Sequence, residues 1–287
     1  MDKKKRLGVQ AVATLLQNAN WRGFFTGKLY QGPAKNVCVP GLNCYSCPGA
    51  VGACPIGSLQ NALSARRFRF PYYVVGLLLF FGALLGRAVC GFLCPFGFLQ
   101  ELLHLLPFPK KLRRLPGERW LRRVKYVILI TLVIVLPLCV QLTPFFCKYL
   151  CPSGTLAGLL LALSNRGLFA IAGSRFAWKV CVLGLIVLAS VVLFRPFCKY
   201  LCPLGAFYGL LNPIAAVRMK VDTEKCTGCG KCAAACAMCV DPSKTPNSPE
   251  CIRCGECCTV CPVDALQLSV KKKATPKKQR VKNRHGH

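Results

Sequence analysis

The chain of 287 residues predicts a mainly α protein in two parts: a polytopic membrane helical domain with repeated long-helix, C-x3-C-P, short-helix units, and a small α+β domain rich in cysteine. Three observations predict this. Hydrophobic residues make up 54% of a chain that carries 39 Lys and Arg against 9 Asp and Glu, at a mean hydropathy of +0.43. Such values fit together when apolar residues gather into spans and charges into loops. The seven residues FCKYLCP recur identically from Phe146 and from Phe197, which marks an internal repeat. The spacing C-x2-C-x2-C-x3-C occurs twice, at Cys226, Cys229, Cys232 and Cys236 and at Cys251, Cys254, Cys257 and Cys261, the second followed by Pro262.

Residues 1–36 begin like a signal peptide, with a basic head and a short apolar stretch, but Gln17, Asn18 and Asn20 interrupt the run and no small-residue cleavage site follows. An uncleaved interfacial or partly inserted helix is expected. Residues 37–65 form a loop rich in Gly and Pro holding Cys38, Cys44, Cys47 and Cys54, a metal-binding candidate for which a cluster, zinc and disulfides all stay open.

Residues 66–217 are the predicted membrane domain. Apolar runs at 70–86, 126–146 and 180–194 approach the roughly twenty residues that cross a bilayer. Each ends in the same grammar, with pairs at Cys90 and Cys94, Cys147 and Cys151, and Cys198 and Cys202, and Cys54-Pro55-Ile56-Gly57 closes the earlier loop in the same way. Shorter apolar segments follow at 98–108, 155–164 and 206–217. The loops at 66–69, 110–125, 166–179 and 218–220 hold sixteen Lys and Arg, so the positive-inside rule makes them cytoplasmic. If the short segments return through the membrane, the C-x3-C-P turns lie toward the outer side or within the bilayer; if they skim the inner surface, some motifs lie inside. Residues 218–270 stay cytoplasmic. The basic tail at 271–287 reads as disordered, with anionic lipid rather than nucleic acid as the first surface it meets.

A C-x2-C-x2-C loop wraps three thiolates around one face of a 4Fe-4S cube, and the fourth cysteine reaches the other cluster in two-cluster ferredoxins. That rule assigns Cys226, Cys229, Cys232 and Cys261 to one cluster and Cys251, Cys254, Cys257 and Cys236 to the other. Zinc favours two C-x2-C pairs with a longer spacer. Cys239 and Cys258 fall outside the pattern and are expected to be packed free thiols, and Ala237 stands where a proline is expected.

In a C-x3-C-P turn, cysteines four apart share one helical face and the proline ends or redirects the helix. Two such pairs supply four thiolates for one cluster or metal, but with the upstream loop there are ten cysteines, two more than two clusters use. Cys139 and Cys181 lie inside apolar runs and are expected as core thiols. Arg87, Lys148, Arg195 and Lys199 either offset an anionic cluster or snorkel at helix ends. Glu101 and His104, three apart, either accept protons from a quinol or form a solvated helix face. No nucleotide-binding loop or nucleophile elbow appears, which points to a relay whose catalytic partner is another polypeptide.

With spans ending in CGFLCP and CKYLCP followed by KCTGCGKCAAACAMC and ECIRCGECCTVCP, residues 70–270 resemble the NapH-type membrane polyferredoxins. The resemblance implies two 4Fe-4S clusters at the eight cysteines of 218–270, a two-cluster ferredoxin domain, and a redox role for the three C-x3-C-P pairs. Two departures stand out: three C-x3-C-P units where the nitrate-reductase subunit of that family is expected to have two, and the added loop at 37–65. The expected function is membrane iron-sulfur electron transfer between a cytoplasmic or quinone donor and a partner redox protein, a flavin-containing one included, rather than stand-alone catalysis. The alternatives are a redox-regulatory or assembly protein and a soft-metal transporter or metallochaperone.

Overall fold

The computed structural model describes residues 3–65, 70–140, 143–164 and 173–270. The tail at 271–287, the basic loop at 66–69 and much of that at 166–179 lie outside the described residues. The described chain is mainly helical with one small sheet.

Helix α1 (Lys3–Gln17) and α2 (Trp21–Thr26) lead into the cysteine loop and α3 (Pro55–Leu63). Helix α1 is more than an interfacial helix. Its outward residues Val12, Leu15 and Leu16 are exposed, but Arg6 and Gln10 are buried, and Gln10 Nε2 and Gln17 Nε2 donate to the carbonyls of Gly91 and Leu93 at 2.6 and 2.7 Å. Those carbonyls lie in the first C-x3-C-P turn and lack a helical partner there, so α1 satisfies what the turn leaves open.

Repeats one and three open on an apolar helix, and repeat two on a basic amphipathic one. Helix α4 (Tyr72–Leu85) stops at Gly86, where φ is +54° and the next turn must reverse. In the second repeat α7 (Glu118–Ile128) widens into a π-helical stretch, Leu129–Val135, before α8 (Leu136–Cys139). Pro137 accounts for part of this, since its ring clashes with the carbonyl four residues back and it has no N–H to give. The third repeat's long helix, Ser174–Val192, is the one described helix long and apolar enough to cross a membrane; Tyr72–Leu85 and Pro152–Ser164 are apolar but shorter.

The C-x3-C-P turn differs from expectation. Its two cysteines do not share one continuous helix. The first lies in a single-turn helix, α5 (Ala88–Phe92), α9 (Phe145–Tyr149) or α12 (Pro196–Tyr200), with α11 the Ser174–Val192 helix. The second is the last residue before the next helix, α6 (Pro95–Leu105), α10 (Pro152–Ser164) or α13 (Pro203–Leu211). Cys94 and Cys202 have ψ of 113° and 114°, because a residue before proline is pushed out of the α region while the proline suits the first helical turn. Cys139 and Cys181 are exposed rather than core thiols: they lie on apolar helices, but on sides that no other described element covers.

The C-terminal domain is closed by β1 (Val217–Val221) pairing antiparallel with β2 (Leu266–Val270), Val217 opposite Val270. Between them, single-turn helices α14 (Lys231–Ala235) and α15 (Glu256–Thr259) follow the two cysteine loops. Met219, Cys232, Cys257 and Leu266 form its own small core, while Met238 and Ile252 pack into the main helical core.

Candidate iron-sulfur centres

In the C-terminal domain one pocket is lined by Cys226, Cys229, Cys232 and Cys261, and another by Cys236, Cys251, Cys254 and Cys257. The two loops share a backbone. Two residues after each first cysteine the chain is left-handed, at Gly228 (φ +67°) and at Arg253 (φ +55°). A non-glycine residue in that region is strained, and here the Arg253 side chain is held by donating to the carbonyls of Leu85 and Asn212 at 2.9 and 2.5 Å. The first pocket is the outer one: Cys229 is exposed, and the N–H of Lys231 pulls its thiol below the usual range. Cys239 and Cys258 line neither pocket. The Cys239 thiol donates to the Arg113 carbonyl at 3.2 Å, and that of Cys258 lies 3.7 Å from the Met219 sulfur.

The repeats bring their cysteines together unequally. Cys90, Cys94, Cys198 and Cys202 are all buried, with the Cys198 thiol beside Cys90 and Cys94 and the Cys202 thiol beside all three. Repeats one and three meet reciprocally. Arg87, three residues before Cys90, donates from Nη2 to the Cys198 carbonyl at 3.0 Å, while Arg195, three before Cys198, donates from Nη1 to the Cys90 carbonyl at 2.6 Å. Gln100 crosses the same interface, accepting from the Phe197 N–H at 3.1 Å and donating to the Cys198 sulfur at 3.1 Å. Each second cysteine takes its own helix's N-terminal amide, for Gly97 and Gly205 donate to the Cys94 and Cys202 sulfurs at 3.4 Å. Amides and a helix N-terminus directed at sulfur favour the thiolate form that binds metal.

Cys147 and Cys151 of repeat two lie elsewhere, beside Cys44 and Cys54 of the N-terminal loop. Cys38 stands outside that group, and Cys47 lies at its edge beside Cys44. The Cys38 thiol donates to Ser58 Oγ at 3.4 Å and that of Cys47 to Asn18 Oδ1 at 3.8 Å.

The donor sets suit iron-sulfur cubes. Among the described residues no three His, Cys, Asp or Glu side chains close on a single point as one metal ion needs, with zinc–sulfur bonds of about 2.3 Å. Instead four thiols line each C-terminal pocket, and Glu256 at the second is engaged by Arg6 at 2.7 Å. All-thiolate coordination is what 4Fe-4S clusters use.

Three of the four motif cations neither snorkel nor stand free. Arg87, Arg195 and Lys199 are buried and paired: Arg87 with Glu250 at 2.8 Å, Arg195 with Glu101 at 2.6 Å, and Lys199 with Glu118. Lys148 is partly exposed and lies over the Tyr149 ring. Glu101 is therefore not a solvated face. Its carboxylate is buried between Arg6 and Arg195, which suits an anchor and not a proton acceptor, and His104 packs edge-on to Phe194. Glu250, Asn212, Gln60 and Gln100 were not singled out from sequence, yet each bonds a cysteine turn; the shared string C-P-x-G-x-L-Q at 54–60 and 94–100 is the signal that would have found the two glutamines.

The two parts meet at the cysteines. A Cβ on Gly91, between Cys90 and Cys94, would stand 2.5 Å from the carbonyl oxygen of Ile252, between Cys251 and Cys254, so the loops touch backbone to backbone. Asn212 ties the contact, accepting from the Arg87 N–H and donating to the carbonyls of Ser248 and Cys251.

A family model described as a 4Fe-4S binding domain matches residues 70–116, 125–168 and 174–221, and a second of the same description matches 219–236. An uncharacterized protein of Methanocaldococcus jannaschii is 33% identical over 210 residues, 71% of this chain and 72% of that one. The methylamine utilization ferredoxin-type protein MauN of Paracoccus denitrificans is 30% identical over 184 residues, 62% of this chain and 58% of its own. The ferredoxin-type protein NapH of Haemophilus influenzae is 24% identical over 188 residues, 61% and 57% respectively. No solved structure matches. Three matched repeats, the ferredoxin-type relatives and the paired cysteine turns agree: the chain belongs to the NapH-type polyferredoxin family of 4Fe-4S electron-transport proteins.

Proposed function

We propose that the protein is a membrane electron relay in which the outer ferredoxin cluster exchanges electrons with a partner redox protein, the inner one receives them, and a third 4Fe-4S cluster at Cys90, Cys94, Cys198 and Cys202 carries them into the helical domain. The observation that carries this reading is the backbone contact of Ile252 on Gly91, which sets two four-cysteine sites side by side with no intervening layer. Direct backbone contact between them suits transfer by keeping the two sites close. The domains expected from sequence follow the same division, with 66–217 holding the repeats and 218–270 the ferredoxin pair.

A bilayer around the repeats is supported by the Ser174–Val192 helix and by the outward apolar residues of the other long helices, among them Phe80, Leu84, Ile130, Ile134, Leu185 and Leu188. Multi-pass insertion with the ferredoxin domain in the cytoplasm follows from the basic loops. A C-terminal green fluorescent protein fusion is expected to fluoresce and an alkaline phosphatase fusion to be inactive; the reverse result overturns this topology. A quinone is the second partner we propose, because an apolar cavity of about 340 Å³ opens beside Phe96 and Leu99, next to the Cys94 turn, with Asn18 and Asn43 at its wall.

Anaerobic protein is expected to hold about four irons and four sulfides at each of these three sites. In Cys198→Ser the third site's iron is lost while the ferredoxin signals remain; soft-metal binding without sulfide would sink the relay. Gly91→Ala forces the Ile252 backbone away, so it keeps all its iron, costs about 1–3 kcal/mol by overpacking, and slows reduction of the third site through the ferredoxin pair in stopped-flow absorbance.

A further inference from the structure

We propose a fourth iron-sulfur site, formed by Cys44 and Cys54 of the N-terminal loop together with Cys147 and Cys151 of the second repeat. It extends the relay reading above and rests on it.

The second repeat is the odd one. Repeats one and three satisfy each other through Arg87 and Arg195, but at the corresponding position, three residues before Cys147, the chain has Pro144. Two thiols alone cannot hold a cube. Their missing partners come from a segment the family match leaves out, since that match begins at residue 70.

The segment is built as a further half-unit. Cys54-Pro55-Ile56-Gly57-Ser58-Leu59-Gln60 repeats the order Cys94-Pro95-Phe96-Gly97-Phe98-Leu99-Gln100, and Cys54, like Cys94, is the extended residue before a helix that starts on proline. Gln60 Oε1 accepts from the Cys147 N–H at 3.2 Å, as Gln100 Oε1 accepts from the Phe197 N–H at 3.1 Å. The loop thus stands to repeat two as repeat one stands to repeat three.

The sulfurs close around a common space. A Cβ on Gly154 would lie 3.7 Å from the Cys44 sulfur and 3.8 Å from that of Cys151, and one on Gly57 would lie 3.9 Å from the Cys147 sulfur. Cys54 and Cys151 are buried, and Cys44 and Cys147 partly so. The Gly154 N–H donates to the Cys151 sulfur at 3.4 Å, and Lys179 is the cation facing the thiols. All four donors are thiols, the chemistry of a 4Fe-4S cube. This resolves the surplus of ten cysteines: eight divide into two sets, and Cys38 and Cys47, bonded to Ser58 and Asn18, are left over.

Tyr208 gives the site its place in the relay. Its buried side chain lies within electrostatic range of Cys90, Cys94 and Cys202 and also of Cys54, and it is fixed by a 3.0 Å bond from its hydroxyl to the Pro40 carbonyl. One electron leaving the Cys90 site reduces the Cys54 site by one, with no proton or bond transferred.

The test is iron and acid-labile sulfide per chain, with Mössbauer spectra, on full-length protein purified without oxygen. Cys44→Ser/Cys54→Ser and Cys147→Ser/Cys151→Ser are each expected to lose about four irons and four sulfides, while Cys38→Ser/Cys47→Ser loses none. Gly154→Val, which keeps every thiol but fills the space between Cys44 and Cys151, is expected to lose the same four, so the result does not depend on removing a cysteine. Unchanged iron in the first two variants overturns the fourth site, and loss in the Cys38/Cys47 variant overturns the partition. If Cys198→Ser loses iron while Cys44→Ser/Cys54→Ser does not, the relay reading stands without this site; if Cys198→Ser loses none, that reading fails on its own.

Discussion

Glu101→Ala is expected to destabilise the protein by about 3–5 kcal/mol, read by denaturation of the detergent-solubilised protein followed through cluster absorbance. The reason is the company Glu101 keeps. Arg6 reaches its two oxygens at 2.6 and 3.0 Å and Arg195 reaches it at 2.6 Å, and all three side chains are buried. Removing the carboxylate leaves the buried Arg195 guanidinium without its charge partner and Arg6 with Glu256 alone, and that penalty exceeds the ordinary value of an exposed ion pair, about 0–1 kcal/mol. Arg6 also holds Glu256 at 2.7 Å, so the N-terminal helix and the second ferredoxin motif loosen together. Glu101→Gln keeps the shape and one acceptor, and its loss is expected to be smaller. A cost below 1 kcal/mol for the alanine variant contradicts this account of the pair.

Glu250→Ala is expected to cost a similar amount and to detach the ferredoxin domain from the repeats. Glu250 precedes Cys251 directly and pairs with Arg87 at 2.8 Å and Lys125 at 2.5 Å, both fully buried. Without it the two cations face each other in the interface that sets Ile252 on Gly91. The same pair makes docking acid-sensitive. Burial alone would raise the Glu250 carboxyl, but Arg87 and Lys125 outweigh burial and hold it below the usual carboxylate range. Its folded value is thus below the unfolded one of about 4.3, so this stability is present above that pH and is lost as pH falls through the folded value. Proteolysis between the domains should accelerate in that window, and Glu250→Gln should remove the dependence.

The ferredoxin motifs were legible because their geometry is local: four cysteines within eleven residues, and a left-handed position two after the first, decide the loop without help from the rest of the chain. Gly228 shows that position openly, whereas Arg253 hides it, since only its bonds to Leu85 and Asn212 explain why an arginine is tolerated there. The repeat grammar was legible too, but the pairing between repeats was not. Nothing in FCKYLCP says that Cys198 meets Cys90 rather than Cys147; that follows from Arg87 and Arg195 reaching across, and from Pro144 having nothing to reach with. Charge reading failed for the same reason. Arg87 and Arg195 look like helix-end cations until the fold brings Glu250 and Glu101 from 163 and 94 residues away. Burial at Cys139 and Cys181 was not legible because an apolar neighbourhood in sequence marks either a core or an uncovered outer side, and only packing separates the two.

The proposed function has the ferredoxin pair continue into a cluster held by the repeats. It is tested most directly by electron paramagnetic resonance of the fully reduced protein beside its Cys198→Ser variant. Spin–spin broadening that involves a third cluster is expected in the parent, reverting to the ferredoxin pair alone in the variant with loss of about four irons. Identical spectra and identical iron in the two proteins would contradict it.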